Sequence, residues 1–509
     1  MVGMKFAFII AYVCILVGIG YISMKKTRTV NDFFLGSRNI GPWVSAFAYG
    51  TTYFSAVLFI GYAGKVGWGF GLSSLWIVLG NAFIGAYLAW KILAAPTRRL
   101  TARLGVLTMP AFLEARYDSR WLKIVSALII FIFLVPYSAS VYMGLSYLFE
   151  EVFSIPFEVA LVLMAVLTAI YLVMGGYFAV AMTDFIQGFI MIVGVILMII
   201  YVVYDPHVGG VVEGIKKLAL YDPRLIKPIG PPGLIPLLSM VVLTSLGTWG
   251  LPQMVQKFYA IKNEESISKA KIVCTLFSLL IAFGAYFTGS FSRLFFDNKM
   301  PIVGGQPNPD VIMPQIISRV LPESLGVVIL LLVMAASMST LASLVLVSSS
   351  AVAIDLVKDT LYPGISRRAA VFLMRVLCLV FVCLSLWIAL KKPTVILSLM
   401  SLSWGAVAGS FLAPYLYGLF WKGVTKAGAW AGIISGLGIS VGLSLYFNMD
   451  ESLIPTLGAL AIVVPLAVVP LVSLVTKKYP ETFLQKIFGS EPLSKKSSSV
   501  IYEGVVSQK

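Results

Sequence analysis

An all-α integral membrane protein of about 13 transmembrane helices is the fold class this chain predicts, and three observations carry it. Hydrophobic residues make up 59% of the 509 positions and charged residues only 12%, with a mean hydropathy of +0.95. A soluble chain would carry roughly twice that charged fraction. Apolar runs of about 18 residues or more recur along almost the whole length, as membrane-crossing helices require. Lys and Arg gather on alternate connections, in "MKKTR", "PTRRLTARLG", "SRR" and "TKK", which is the asymmetry of cytoplasmic loops.

Taken in order, spans are expected near 5–24, 40–64, 72–95, 122–149, 156–175, 179–204, 234–256, 271–294, 325–354, 369–390, 394–421, 427–447 and 453–476. The first lacks a small-residue cleavage site and reads as a retained helix rather than a signal peptide. The basic connections then place the N-terminus outside and the C-terminus in the cytoplasm. The formal charge of +16 is thus a topology signal that suits anionic inner-leaflet lipid and requires no nucleic acid. Residues 1–476 form one polytopic domain, and no loop is large enough to be another. The outer connections 205–233 and 295–324, with "PIGPPG" and "PIVGGQPNPD", suit ordered turns or a lid over an outer mouth. The tail 477–509, with "SEPLSKKSSS", is expected to be disordered.

Catalysis finds no support. There is no GxxxxGK[ST] loop for nucleotide and no nucleophile–base pair or metal cluster. The four cysteines, all in apolar segments, have no pairing or CxxC spacing. The one histidine, His207, sits in a polar loop beside Asp205 and Pro206.

The chemistry therefore lies within the membrane. In "AASMSTLASLVLVSSS" (335–350) seven of the sixteen side chains carry a hydroxyl. Ala336, Ser339, Thr340 and Ser343 are three or four positions apart and share one helix face. Small hydroxyl residues commonly serve helix packing or bond back to their own backbone. The adjacent pair Ser339–Thr340 can do more if a facing helix offers free carbonyls, because a hard cation such as sodium takes about five or six oxygens. Two spans carry breakers that would free such carbonyls: the second at Gly50, Thr51 and Thr52, and the seventh at Gly247, Gly250 and Pro252. Unwound backbone at membrane depth is tolerated where it lines a cavity. Interrupted helices five spans apart point to a secondary transporter's binding site.

Other intramembrane residues leave two readings each. Asp184 is either functional or an interfacial carboxylate paired with a nearby lysine. Asp355 reads as interfacial, and Lys65 either snorkels to headgroups or attracts an anionic solute. Tyr137, beside Pro136, and Trp249, between two glycines, either line a solute pocket or pack.

With "DFFLGSRNIGPW", "LTMPAFLEARY", "GGYFAVAMTDFIQ", "GLPQMVQKFYA" and "AASMSTLASLVLVSSSAVAID" in this order, the chain resembles the sodium:solute symporter family over roughly residues 5–475, and within it the sodium/proline branch. The resemblance implies a LeuT-like core of two inverted five-helix repeats (about 40–205 and 234–421), one extra N-terminal and two extra C-terminal helices. It also implies alternating access and a prokaryotic plasma membrane location. Carried over by position, sodium would be held by backbone oxygens of Thr51, Phe54 and Ala336 and the hydroxyls of Ser339 and Thr340. In relatives with a second sodium, the positions of Asp184 and Ser343 contribute, and Ala342 here lacks a hydroxyl that they use. The solute side would involve Thr52, Tyr53, Ser55, Tyr137, Thr244, Thr248 and Trp249. Proline-type relatives carry an aspartate at Tyr53 and aromatics at Thr244 and Thr248. The expected activity is sodium-driven import of a small polar solute, an amino acid such as proline or a small carboxylate. Proton coupling through Asp184 and a passive facilitator or channel are the alternatives. The expected partners are the solute and membrane lipid, with no obligate protein partner.

Overall fold

The computed structural model describes residues 2–26, 34–320 and 322–489, with the backbone alone at 2–6, 24–26, 37, 170–176, 323–325 and 367–368. Among the described residues nine helices are long and apolar enough to cross a membrane, or ten when the bent pair Leu234–Gly250 and Pro252–Ala260 counts as one. Three features separate this from thirteen. Ala7–Ser23 and Phe157–Ala169 are apolar but shorter, and Val57–Ile92 runs helically through the outer half of the second span and the third, outer and inner being named by the orientation expected from the basic connections. The chain reverses within that run at Gly71, whose φ of +57° favours a residue without Cβ.

Helix α1 is Val2–Lys26, and α2 (Pro42–Tyr53) forms the inner half of the second span. Its last backbone bond is Phe54 N–H to Gly50 O, after which Phe54 is extended (φ −111°, ψ 111°). A π-helical turn, Val57–Tyr62, leads into α3 (Ala63–Phe70). The break is real but lies later than expected, because Gly50, Thr51 and Thr52 are helical. Gly50 serves close packing instead: a Cβ there would lie 2.4 Å from the Phe277 ring.

After the third span come α4 (Ala94–Leu104) and α5 (Met109–Tyr117) at the inner end, then α6 (Arg120–Phe153). Helix α7 runs without interruption from Phe157 to Tyr204, where two spans are expected. Straight, it would be about 72 Å long, more than twice the roughly 30 Å hydrocarbon core. It is not straight. Glu158 lies 3.8 Å from Lys392 at the outer end, and His207, just past Tyr204, stacks on Phe295 at 5.3 Å. Tyr177 instead sits under Lys257 at 5.1 Å, toward the inner end. The chain therefore reverses within this run and crosses twice.

The outer connection 205–233 contains α8 (Val211–Tyr221). The seventh span begins with α9 (Leu234–Val241), loosens through π-helical Val242–Leu246 and 3-10 Gly247–Gly250, and becomes extended at Leu251. It resumes as α10 (Pro252–Ala260), bent by 46°. Pro252 occupies the first turn of α10, where its missing N–H costs nothing. Helix α11 is Glu264–Ser290. The outer connection 295–324 folds into a two-residue-strand hairpin, Ile302–Val303 against Gln306–Pro307, followed by α12 (Ile312–Val320). Helices α13 (Glu323–Ser350, continuing in π geometry to Leu361), α14 (Arg367–Lys391), α15 (Ile396–Phe420), α16 (Lys426–Leu437) and α17 (Ile454–Val475) complete the bundle.

The inner halves of the two broken spans are joined by main chain. Ile40 N–H donates to Ala260 O (3.2 Å) and Lys262 N–H to Ile40 O (3.0 Å), a parallel bridge between Ile40 and Ile261. The tail departs from expectation at its start. Residues 481–488 form helix α18 (Glu481–Phe488), with Leu484 and Ile487 buried and Arg103 donating to Gln485 O (3.3 Å). Apolar residues at helical spacing outweigh the polar composition there. Residues 490–509 of the expected disordered tail lie outside the described residues.

Candidate ion and solute site

The first break and α13 face each other across a cluster of oxygens. Because α2 ends at Tyr53, the carbonyls of Thr51 and Thr52 receive no backbone N–H among the described residues. The Thr340 hydroxyl meets Thr52 O at 3.2 Å, Thr51 O at 3.4 Å and, on its own helix, Ala336 O at 3.0 Å. Ser339 Oγ donates to Thr51 Oγ1 (2.8 Å), which donates to Phe47 O (2.9 Å). Thr340 has one hydroxyl hydrogen for three carbonyls. The surplus of acceptors is what a small cation satisfies, so the donor set fits sodium. Of the five positions expected to hold it, Thr51, Ala336, Ser339 and Thr340 meet here. Phe54 is the extended residue at the break, and no hydrogen bond to its carbonyl is formed among the described residues.

Beside this cluster, Thr52 Oγ1 lies 3.0 Å from Ser343 Oγ, and Ser343 Oγ accepts from Lys257 Nζ at 3.0 Å. Lys257 Nζ stands 3.7 Å from Asp184 Oδ2, and both side chains are fully buried. Neither Asp184 oxygen accepts a hydrogen bond among the described residues. Asp184 is thus wholly buried and paired with an equally buried lysine.

The residues expected around the solute divide into two groups. Tyr53 stacks on Phe54 (4.3 Å) and beside Trp404 (6.4 Å), and Tyr137 meets Trp404 edge-on at 5.8 Å. Ser55 accepts from Val57 N–H (3.2 Å) at the break. The Trp404 indole N–H is buried, and among the described residues it has no partner within hydrogen-bond distance, with Tyr137 as its neighbour. The second group fastens the seventh span to the third. Thr244 donates to Asn81 Oδ1 (2.9 Å), Thr248 to Gly85 O (3.2 Å) and Trp249 Nε1 to Ile84 O (3.0 Å). Tyr53 OH adds a bond to Thr244 O (2.7 Å). Thr52 faces the ion side through Ser343. All the expected ion and solute residues are buried, none more than 7% exposed, so the site is shielded from both faces.

At the ends of the bundle, Asp355 is fully buried and accepts from Thr108 Oγ1 (2.7 Å). Lys65 pairs with Glu451 at 3.5 Å. The four cysteines are free, and His207 bonds Asp205 on an exposed loop.

Residues 33–436 match the sodium:solute symporter family. The chain belongs to that family. It is similar to the sodium/proline symporter of Salmonella typhimurium, at 31% identity over 84% of both chains. It is also similar to the osmoregulated proline transporter OpuE of Bacillus subtilis, at 32% over 82% of this chain and 84% of that one. Among solved structures it resembles the substrate-bound, outward-open state of a Na+-coupled sialic acid symporter. There the TM-score is 0.74 and the identity 18%, covering 93% and 98% of the two chains. The closed conformation of Mhp1, a nucleobase-cation-symport-1 family transporter, gives 0.51 at 15% identity, covering 89% and 97%. The symporter thus has the LeuT-like fold, and sodium is its coupling ion.

Sequence reasoning passed over Lys257, Trp404 and Asn81. A lysine seven residues after Gly250, on the inner half of an interrupted span, was a usable signal. So were a lone amide within the third span and a tryptophan amid serine and glycine in "SLSWGAVAG".

Proposed function

We propose that this symporter imports a small carboxylate-bearing solute, an amino acid of proline's class, with sodium held by Thr51, Phe54, Ala336, Ser339 and Thr340. The observation that carries the ion site is the single Thr340 hydroxyl among three carbonyls. Sodium there would join the first break to α13 and favour a state that accepts solute. Coupling requires that each ligand bind the states unequally. The inward pull on a cation is about 2.3 kcal/mol per 100 mV.

The solute reading rests on the other side of the break. Tyr53, Phe54, Tyr137 and Trp404 offer apolar and aromatic walls, while the buried indole N–H of Trp404, beside Tyr137, suits an acceptor such as a carboxylate. The similar proteins named as proline transporters support the same class. Repeats over about 40–205 and 234–421 accord with the two breaks and with the Ile40–Ile261 bridge between their inner halves. The N-terminus-outside orientation is supported by Arg38, Arg98, Arg103, Arg116 and Arg120 collecting at the end where α4 and α5 lie.

Radiolabelled uptake into proteoliposomes tests the reading, with proline, alanine, acetate and pyruvate each offered with and without a sodium gradient. Sodium-driven accumulation of proline is expected, and Trp404→Phe should raise its KM about tenfold, near the loss of one hydrogen bond to a charged group. Accumulation driven by a pH gradient alone, or mere equilibration, would replace this mechanism with proton coupling or passive transfer.

A further inference from the structure

Asp184 is a carboxylate without exposure, in a segment that crosses the membrane, and no hydrogen bond reaches either oxygen among the described residues. A charge so placed needs a cation or a full set of donors. The nearest cation is the Lys257 ammonium, 3.7 Å away and equally buried. Its surroundings are oxygen and aromatic: Ser343 Oγ at 3.0 Å, the Tyr177 ring at 5.1 Å, and Thr52 Oγ1 one hydroxyl further on. Thr52 also supplies a carbonyl to the proposed sodium cluster. The ammonium therefore occupies a carboxylate-and-hydroxyl nest that adjoins the sodium pocket and shares a residue with it.

We propose that Lys257 is a tethered cation that fills the Asp184 position, so that this symporter binds one sodium ion and not two. The inference rests on the sodium reading above and extends it to stoichiometry. An ammonium and a sodium ion cannot both occupy the space between Asp184 and Ser343, and the tethered one is present at an effective concentration no free ion matches. Helix α10, which carries Lys257, is the inner half of the second broken span. Asp184 and Ser343 lie on α7 and α13, so the three side chains come from three elements that meet at the ion side.

Equilibrium binding of radioactive sodium to the purified full-length protein, at pH 8.5 and saturating sodium, reads this directly. Wild type should bind one ion per chain. Lys257→Gln should bind two, with the Hill coefficient for sodium rising above one. Lys257→Arg, and the double variant Asp184→Asn with Lys257→Gln, should return to one. Two ions in wild type would overturn the proposal, whatever the variants do. One ion in a folded Lys257→Gln would overturn it as well. No sodium binding by wild type would instead sink the sodium site itself, which separates the two failures.

Discussion

At the first break the carbonyls of Thr51 and Thr52 accept, among the described residues, from the Thr340 hydroxyl alone, whereas at the second Thr244, Thr248 and Trp249 are each anchored to residues 81–85 of the third span. Both stretches depart from helical geometry for similar reasons of composition. On the proposed reading the first leaves acceptors over for an ion, while the second is hydrogen-bonded to its neighbour in this structure. Glycine and proline thus announce where backbone leaves the helix, and the surrounding side chains decide what the freed groups bind.

The difference can be broken experimentally. The largest effect is expected at the first break. Ser339→Ala and Thr340→Val each remove an oxygen from the ion cluster, and sodium half-saturation of uptake should rise about ten- to a hundredfold. Unchanged half-saturation would make the two breaks equivalent. Next comes Asn81→Ala, which strips the shared acceptor of Thr244 and Ser245. It should destabilise the protein by about 1–3 kcal/mol, seen as a lower melting temperature in detergent, with sodium half-saturation moved less than twofold. Trp249→Phe removes a single bond to Ile84 O and should cost about 1 kcal/mol in the same assay. A large shift in sodium dependence from either variant would show that the second break is receptive too.

A pH-dependent measurement sets the baseline away from both breaks. Asp310, in the outer connection, accepts from Ile396 N–H at the start of α15 (3.0 Å). Burial pushes its carboxyl up to about 7, opposed by that N–H and by Lys65, with Glu451 adding to the rise. The folded state therefore holds the proton more tightly than the unfolded chain. The stabilising share is whole below about pH 4 and is lost as pH climbs toward 7. Asp310→Asn should flatten that part of the melting-temperature profile. A slope identical to wild type would remove Asp310 as its source.

Much of this was legible in the sequence because membrane helices obey few rules. The spans follow from apolar length, and the Ser339–Thr340 face follows from helical spacing. The existence of two breaks follows from Gly, Thr and Pro within apolar runs. The position of the first break was not legible, because Gly50 is required by the Phe277 ring and that contact is set by a distant helix. The roles of Thr244, Thr248 and Trp249 were likewise hidden, since polar groups in lipid seek partners that only the fold supplies. Lys257 was passed over for the same reason: its partners, Asp184 and Ser343, lie on α7 and α13, far away along the chain.

The bridge between Ile40 and Ile261 carries one more implication. It is made of peptide groups alone, so neither acidification nor exchange of side chains can easily unfasten it. The inner segments of both interrupted helices should travel as a single clamp, and solute release into the cell would follow from that clamp tilting away from its neighbours rather than from its two arms parting.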